Sequence, residues 1–143
     1  MIAKMPILEK TIVLTTTDFD RLSGLVGSSN YRTTHSVLLM ALKQELDRAK
    51  VLPADEVPRG VVTMRSKIRI RDLDEGSLET YTLVYPEEAD IAAGKLSILA
   101  PLGTALLGTR VGDIVEFDAP AGTRRLKVAK LLYQPEAAGH LYL

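Results

Sequence analysis

Few side chains in this sequence have the types and spacing that chemistry requires. The chain contains no cysteine, which excludes thiolate catalysis, disulfide bonds and thiolate metal sites. Its two histidines, His35 and His140, stand at distant positions, with neither metal-ligand spacing nor a neighbouring carboxylate to orient a base. We interpret His35 as a polar residue near a helix start and His140 as an exposed tail residue. The sequence therefore predicts no catalytic residue, no metal site and no cofactor, and a protein that is not an enzyme.

Two clusters of carboxylates and one pair of glycines are weaker candidates. The clusters are Asp72, Asp74 and Glu75, and Glu87, Glu88 and Asp90. Carboxylates with divergent pKa values can act in acid–base catalysis, but acidic turns are common, so we interpret both clusters as solvated turns. Gly103 and Gly108 have the spacing of a phosphate-binding loop, yet Thr109 and Arg110 replace its lysine and hydroxyl residue. We interpret that segment as a short helix closed by a glycine.

Charge and hydropathy exclude further classes of protein. Lysine plus arginine and aspartate plus glutamate both number 18 in the 143 residues, so the formal net charge is zero. A zero net charge argues against binding a nucleic-acid backbone by charge alone and against a polybasic membrane anchor. The apolar stretches are far shorter than the ~20 residues that a membrane-spanning helix needs, and no signal peptide is recognisable. We expect a cytoplasmic protein that binds no membrane and reads no nucleic-acid sequence.

Basic side chains recur along two predicted strands. They are Arg65, Lys67, Arg69 and Arg71, and Arg124, Arg125, Lys127 and Lys130. These cations could contact phosphate or an acidic protein. Pairing with carboxylates on neighbouring strands, such as Glu79, would give the same pattern, and we favour that interpretation.

The first part of the chain has helical periodicity. Thr17 and Asp18 are typical of a helix start, and Phe19, Leu22, Leu25 and Val26 then lie on one helical face. After a break at 27–30, the residues Leu39, Leu42, Leu46 and Ala49 form a second apolar seam that ends before Pro53. The pattern predicts a short antiparallel helical hairpin, a coiled coil, over residues 1–52. The pair either packs on the rest of the chain, which spacing alone favours, or projects as a functional arm.

The remaining residues, 53–143, have the periodicity of strands. Alternation begins at 66–71, and further strands are predicted at 78–85, 96–99, 114–117 and 124–132. Pro101 and Gly108 bracket a short helix over 101–107. The fold class is therefore α+β, with a helical hairpin followed by a small antiparallel β-domain that contains one short helix.

A longer pattern in the second part resembles a known family. Residues 91–113 read IAAGKLSILAPLGTALLGTRVGD, which resembles the C-terminal domain of the bacterial Gre transcript-cleavage factors. Residues 45–49, 61–66 and 133–139, with 82–86, are more similar to the Rnk-type members, which are known as regulators of nucleoside diphosphate kinase. The resemblance runs from about residue 14 to the C-terminus.

This resemblance implies a fold and a partner. It implies an FKBP-like β-domain behind the hairpin, and docking of that domain on RNA polymerase at the rim of the secondary channel. In Gre factors, acidic residues at the hairpin tip help to hold catalytic magnesium for cleavage of backtracked RNA. Here the tip residues are Ser29, Asn30, Tyr31 and Arg32, and the whole loop 27–34 has no carboxylate to offer magnesium. We therefore expect polymerase binding without transcript cleavage.

The resemblance also implies which residues dock. They are Asp90, Ser97, Leu99, Ala100, Pro101, Leu102 and Gly103, with the aliphatic side chains as a small apolar anchor. The same residues could instead form an ordinary strand-to-helix turn. Two other functions remain as alternatives: an FKBP-like peptidyl-prolyl isomerase, and a regulator that binds nucleoside diphosphate kinase directly.

Overall fold

The computed structural model describes residues 12–27, 36–120 and 122–139. Strand β1 (Val13–Thr15) leads directly into helix α1 (Thr16–Gly27). The Thr15 hydroxyl accepts a hydrogen bond from the Asp18 amide at 2.9 Å, which satisfies one of the free amides of the first helical turn. The cap is therefore Thr15 rather than Thr17, because the helix begins at Thr16 and Thr17 lies inside its first turn.

Helix α2 (Ser36–Asp47) contacts α1 and buries the predicted seam residues Leu39, Leu42 and Leu46. The helix ends before Ala49, although the seam was predicted to include it. Strand β2 (Lys50–Leu52) follows and pairs in parallel with β1, and the Lys50 amide donates to the Ile12 carbonyl at 2.8 Å. Periodicity did not reveal either strand, because each has three residues. The segment between the helices, with the predicted tip residues and His35, lies outside the described residues, as does His140.

The second part of the chain forms a five-stranded sheet in the order β5-β4-β3-β7-β6. Its strands are β3 (Lys67–Asp72), β4 (Leu78–Val84), β5 (Lys95–Ser97), β6 (Ile114–Ala119) and β7 (Gly122–Tyr133), and helix α3 (Pro101–Leu106) lies between β5 and β6. Neighbouring strands are antiparallel except β4 and β5, which are parallel. The predicted α+β class is confirmed, and the prediction of an all-antiparallel sheet is wrong at this edge.

One hydrophobic cluster includes residues from the helices and from the sheet. Its fully buried members include Leu14, Leu22, Leu42, Ile68, Ile70, Leu83, Leu106 and Leu126. Alternation places Ile68 and Ile70 on the core face of β3, with Leu126 and Val128 opposite on β7. The division into two domains, residues 1–52 and residues 53–143, stays a prediction. The helices of the first part share this cluster with the sheet of the second. No helix within the described ranges is long and apolar enough to cross a membrane.

Glycine is required at two positions, because atoms of another segment lie too close to leave room for a Cβ atom. A Cβ on Gly103 would overlap the Ser97 carbonyl oxygen, so α3 can begin immediately after β5 only with glycine there. Gly108 has a φ of 76°, and a Cβ there would lie 2.5 Å from the Ile12 Cβ. Gly108 therefore lets α3 end against the strand that precedes α1.

We predict that Gly103→Ala lowers the free energy of unfolding by about 1–3 kcal/mol, because the added methyl group must displace the rigid backbone of Ser97. The matched control is Gly24→Ala in α1, where no atom lies within 4 Å of the added Cβ. That change should raise the free energy of unfolding by about 0.5–1 kcal/mol, because alanine favours the helix. Urea unfolding of both variants measures the difference, and an unchanged stability of Gly103→Ala would show that the turn can relax.

Candidate functional site

The predicted docking residues form the turn that connects β5 to α3. The Ser97 side-chain oxygen accepts the Leu99 amide at 3.1 Å, and the Ser97 carbonyl accepts the Ala100 amide at 3.0 Å. Pro101 then occupies the first helical turn, where its missing N–H leaves no helical hydrogen bond unmade. These contacts make the turn compact and fix the direction in which Pro101 points.

Burial divides the predicted residues into two groups. Leu99 and Leu102 are 4% and 7% exposed and belong to the hydrophobic core, and Gly103 is buried against Ser97. Pro101 and Asp90 are exposed. The predicted aliphatic anchor is therefore directed into the protein, because the start of α3 turns its leucine towards the sheet. The docking assignment stays a prediction, and its accessible members are Pro101 and Asp90, with Ser97 and Ala100 half-buried.

Pro101 also lies on an apolar groove that the sequence did not predict. The groove has a volume of about 430 Å³ and runs between α2, α3 and β6. Its apolar lining consists of Ile12, Val37, Leu38, Ala41, Pro101, Ala105, Ile114, Val115 and Phe117, with polar residues Gln44, Glu45, Arg48, Thr104, Thr109 and Glu116. The available signal was the set of apolar residues of α2 that lie off its buried seam, above all Val37, which is 77% exposed.

A buried carboxylate joins α1 to the second part of the chain. The Asp18 side chain accepts the Met64 amide at 3.1 Å and the Tyr85 hydroxyl at 3.3 Å. The pKa of Asp18 is raised from 3.8 to about 6. Burial is the largest cause and the charge of Glu136 adds to it, while the hydrogen bonds with Met64, Tyr85 and Thr15 act in the opposite direction. The sequence indicates Asp18 only as a helix-start residue, because its partners Met64 and Tyr85 lie far along the chain.

Arg65 lies beside Asp18 and Tyr85 and adds further contacts there. Its φ of 66° is a conformation that a non-glycine residue rarely adopts. The guanidinium forms an ion pair with Glu88 at 2.8 Å, which lowers the pKa of that carboxyl, and it lies 5.4 Å from the centre of the Tyr85 ring. Arg21 of α1 lies over the same ring at 5.9 Å. Tyr85 is therefore held between the first helix and the sheet, and burial raises the pKa of its hydroxyl.

Carboxylates in both acidic clusters form ion pairs, so the interpretation of these clusters as solvated turns is only partly correct. Asp72 is buried and accepts the amides of Asp74 and Glu75 at 2.8 and 2.9 Å, which closes the β3–β4 turn. Its other oxygen accepts Arg124 at 2.8 Å, and the same guanidinium contacts Glu79 at 2.9 Å. Arg124 and the turn amides lower the pKa of Asp72. In the described part of the chain, no group of three histidine, cysteine, aspartate or glutamate residues is arranged to hold a metal ion.

Comparison with known proteins divides the chain where its periodicity changes. Residues 10–52 match the family profile described as "Rnk N-terminus". Residues 57–133 match "Transcription elongation factor, GreA/GreB, C-term", which includes the β5–α3 turn and the whole sheet. The chain belongs to the GreA/GreB family.

Individual relatives agree with this assignment and place the chain on its Rnk branch. The chain is 40% identical to "Regulator of nucleoside diphosphate kinase" of Escherichia coli K12 over 134 residues, which are 93% of this chain and 97% of the relative. It is 40% identical to GreA of Thermotoga neapolitana over 93 residues, 65% of this chain and 59% of that relative. A solved GreA/GreB structure from Nitrosomonas europaea is 35% identical, covers 86% of this chain and 100% of its own, and superposes with a TM-score of 0.72. The chain is thus a regulator related to the Gre transcription elongation factors.

The raised pKa of Asp18 predicts that the free energy of unfolding depends on pH. The folded pKa of about 6 lies above the unfolded value of about 3.9, so the folded state holds an extra proton between these limits. The stabilisation is complete below about pH 4 and is lost as the pH rises through about 6, a difference of about 2–3 kcal/mol.

The control is Asp18→Asn, which retains an oxygen for the Met64 amide but cannot titrate. Urea unfolding from about pH 4 to 7 should show the wild type losing stability relative to this variant as the pH rises. Glu136, Glu88, Arg65 and Arg21 surround Asp18 in both proteins, so any titration of these groups that does not involve the Asp18 charge cancels in the comparison. Parallel pH curves for the two proteins would contradict the raised pKa.

Proposed function

We propose that this GreA/GreB-family chain is an RNA polymerase-binding regulator of transcription. Its second part, residues 53–143, docks at the rim of the polymerase secondary channel, and the helices of residues 1–52 lie at the channel mouth. The match to the GreA/GreB C-terminal profile, which spans the β5–α3 turn, is the observation that carries the proposal.

The local structure supports the turn as a contact site. Pro101 is exposed and rigid, and its neighbours Leu99 and Leu102 anchor it to the core, so a partner would meet a preformed surface. The groove beside it offers apolar area from α2, α3 and β6. Exposed contiguous apolar surface of this kind is typical of protein interaction sites.

We predict that Pro101→Asp weakens binding to core RNA polymerase by about tenfold or more, because it places a charge at the apolar contact. The fold should tolerate the change, since aspartate is favourable in the first turn of a helix. Leu102 is not suited to this test, because its burial means that a charge there would disrupt the core.

The matched control is Val111→Asp, which introduces the same charge at an exposed apolar residue outside the groove lining. It should leave binding unchanged. Binding is measured by titrating labelled protein with core polymerase, with a Gre factor added as competitor. Equal affinity of wild type and Pro101→Asp would exclude this turn as the contact, and binding without displacement by the Gre factor would move the site away from the channel.

The second element of the proposal is that the chain does not promote transcript cleavage. The loop 27–34 contains no aspartate or glutamate, so it has no carboxylate oxygen with which to hold a magnesium ion. We expect that backtracked transcription complexes incubated with the purified protein retain full-length RNA, while a Gre factor added to the same complexes shortens it. Shortened RNA with this protein alone would contradict the proposal.

The link to nucleoside diphosphate kinase follows from the name of the Escherichia coli relative. We propose that the regulation is exerted through transcription, because residues 57–133 match the profile of a transcription elongation factor family. Size-exclusion chromatography of the two proteins together distinguishes this from direct contact, since co-elution would show a complex.

A further inference from the structure

The face of the sheet opposite the core carries a concentration of positive charge. On β3, alternation turns Lys67, Arg69 and Arg71 away from the core, while Ile68 and Ile70 are fully buried. On β7, Lys127 and Lys130 are exposed on the same side. These five side chains, which we call the basic face, lie on two adjacent interior strands of the sheet. The chain as a whole has a formal net charge of zero.

The strand register brings these cations directly opposite one another. Arg69 pairs with Lys130 and Arg71 pairs with Lys127 across the β3–β7 ladder. Like charges in directly opposed positions destabilise a sheet, whereas opposite charges would stabilise it. The arrangement therefore carries a cost in stability that the fold itself does not explain.

The expected neutralisation by neighbouring carboxylates does not occur at the basic face. Glu79 is opposite Ile70 in the register, so it lies on the core side of the sheet, where it pairs with Arg124. Arg125 pairs with Asp74 at 3.3 Å. Within the described ranges, no carboxylate forms an ion pair with any of the five cations of the basic face. The preferred interpretation from sequence, cross-strand charge pairing, is thus correct for Arg124 with Asp72. Arg65 and Arg125 pair with carboxylates outside the strands, and the interpretation is wrong for the basic face.

Exposed apolar side chains border the cations. Leu78 lies opposite Arg71 on β4, and Ile114 lies opposite Lys127 on β6. Both are among the exposed large hydrophobic residues, at 52% and 45% exposure. The aromatic residues Tyr81 and Phe117 of the same two strands face the core side, so they offer no platform on which a nucleic-acid base could stack.

We propose that the basic face is a second docking surface, which binds an acidic protein surface that carries apolar side chains among its carboxylates. Charge complementarity satisfies the opposed cations, and the flanking leucine and isoleucine gain buried apolar contact. A phosphate backbone would neutralise the cations but would offer no apolar side chains to the flanking leucine and isoleucine. The basic face itself does not include the Pro101 turn, although the flanking Ile114 also lines the groove beside that turn. The proposal does not require that the turn binds polymerase.

The test uses the double variant Arg69→Gln with Lys130→Gln, which removes one opposed pair of cations. The probe is a fluorescein-labelled peptide in which glutamates alternate with leucines, and the reference peptide has glutamine in place of glutamate. We expect the wild type to bind the acidic peptide, and the double variant to bind it at least tenfold more weakly. The glutamine peptide should not bind either protein.

The matched control removes two exposed cations elsewhere, through Lys50→Gln with Arg59→Gln, and should bind the acidic peptide as the wild type does. Unfolding in urea should show that the Arg69→Gln and Lys130→Gln variant is at least as stable as the wild type, because a like-charge pair has been removed. A loss of stability would instead give these cations a structural role and would overturn the proposal.

Three further results would also overturn it. They are equal binding of the peptide by the wild type and the double variant, tighter binding of a single-stranded oligonucleotide of the same charge, and binding to phosphatidylserine vesicles that the double variant abolishes. The second would make the basic face a nucleic-acid surface, and the third a membrane surface.

Discussion

Burial of the helical seam in the same hydrophobic cluster as the sheet is the interaction on which the rest of the structure depends. Leu22 and Leu42 come from the two helices, and Ile68, Ile70 and Leu126 come from the sheet, and all five are inaccessible to solvent. Each such side chain contributes about 1.5–3 kcal/mol when it is removed from water. Because the helices cannot move away from the sheet without exposing these residues, the position of α2 beside α3 and β6 is fixed, and so is the groove between them.

Polar contacts determine how the first helix is oriented on this core. Asp18 is the only described residue of α1 whose carboxylate is buried, and it accepts hydrogen bonds from Met64 and Tyr85 of the second part of the chain. Arg65 adopts its strained backbone conformation at the same place, where its guanidinium contacts Glu88 and Tyr85. A strained residue persists when its surroundings compensate, and here the compensation comes from an ion pair and a ring contact.

The surface of the protein carries two regions of different character. The groove at Pro101 is apolar, and it is lined by elements from both parts of the chain. The basic face is formed by β3 and β7 alone, and its cations have no carboxylate partners among the described residues. A chain with zero formal net charge thus combines an apolar surface and a charged one.

The sequence by itself determined the family and the types of most of the elements, but not strands β1 and β2. The element types follow from local patterns, namely the helical seams, the strand alternation and the residues that bracket α3. The family follows from the continuous motif at residues 91–113. Local patterns and a continuous motif can both be found without a structure. Tertiary structure decided which of those residues are accessible and which charges meet. Leu99 and Leu102 belong to the core, Glu79 pairs with Arg124 and not with the basic face, and Asp18 contacts partners on distant segments. Each of these outcomes depends on strand register and helix packing between residues that are far apart in sequence, and local periodicity contains no information about such pairings.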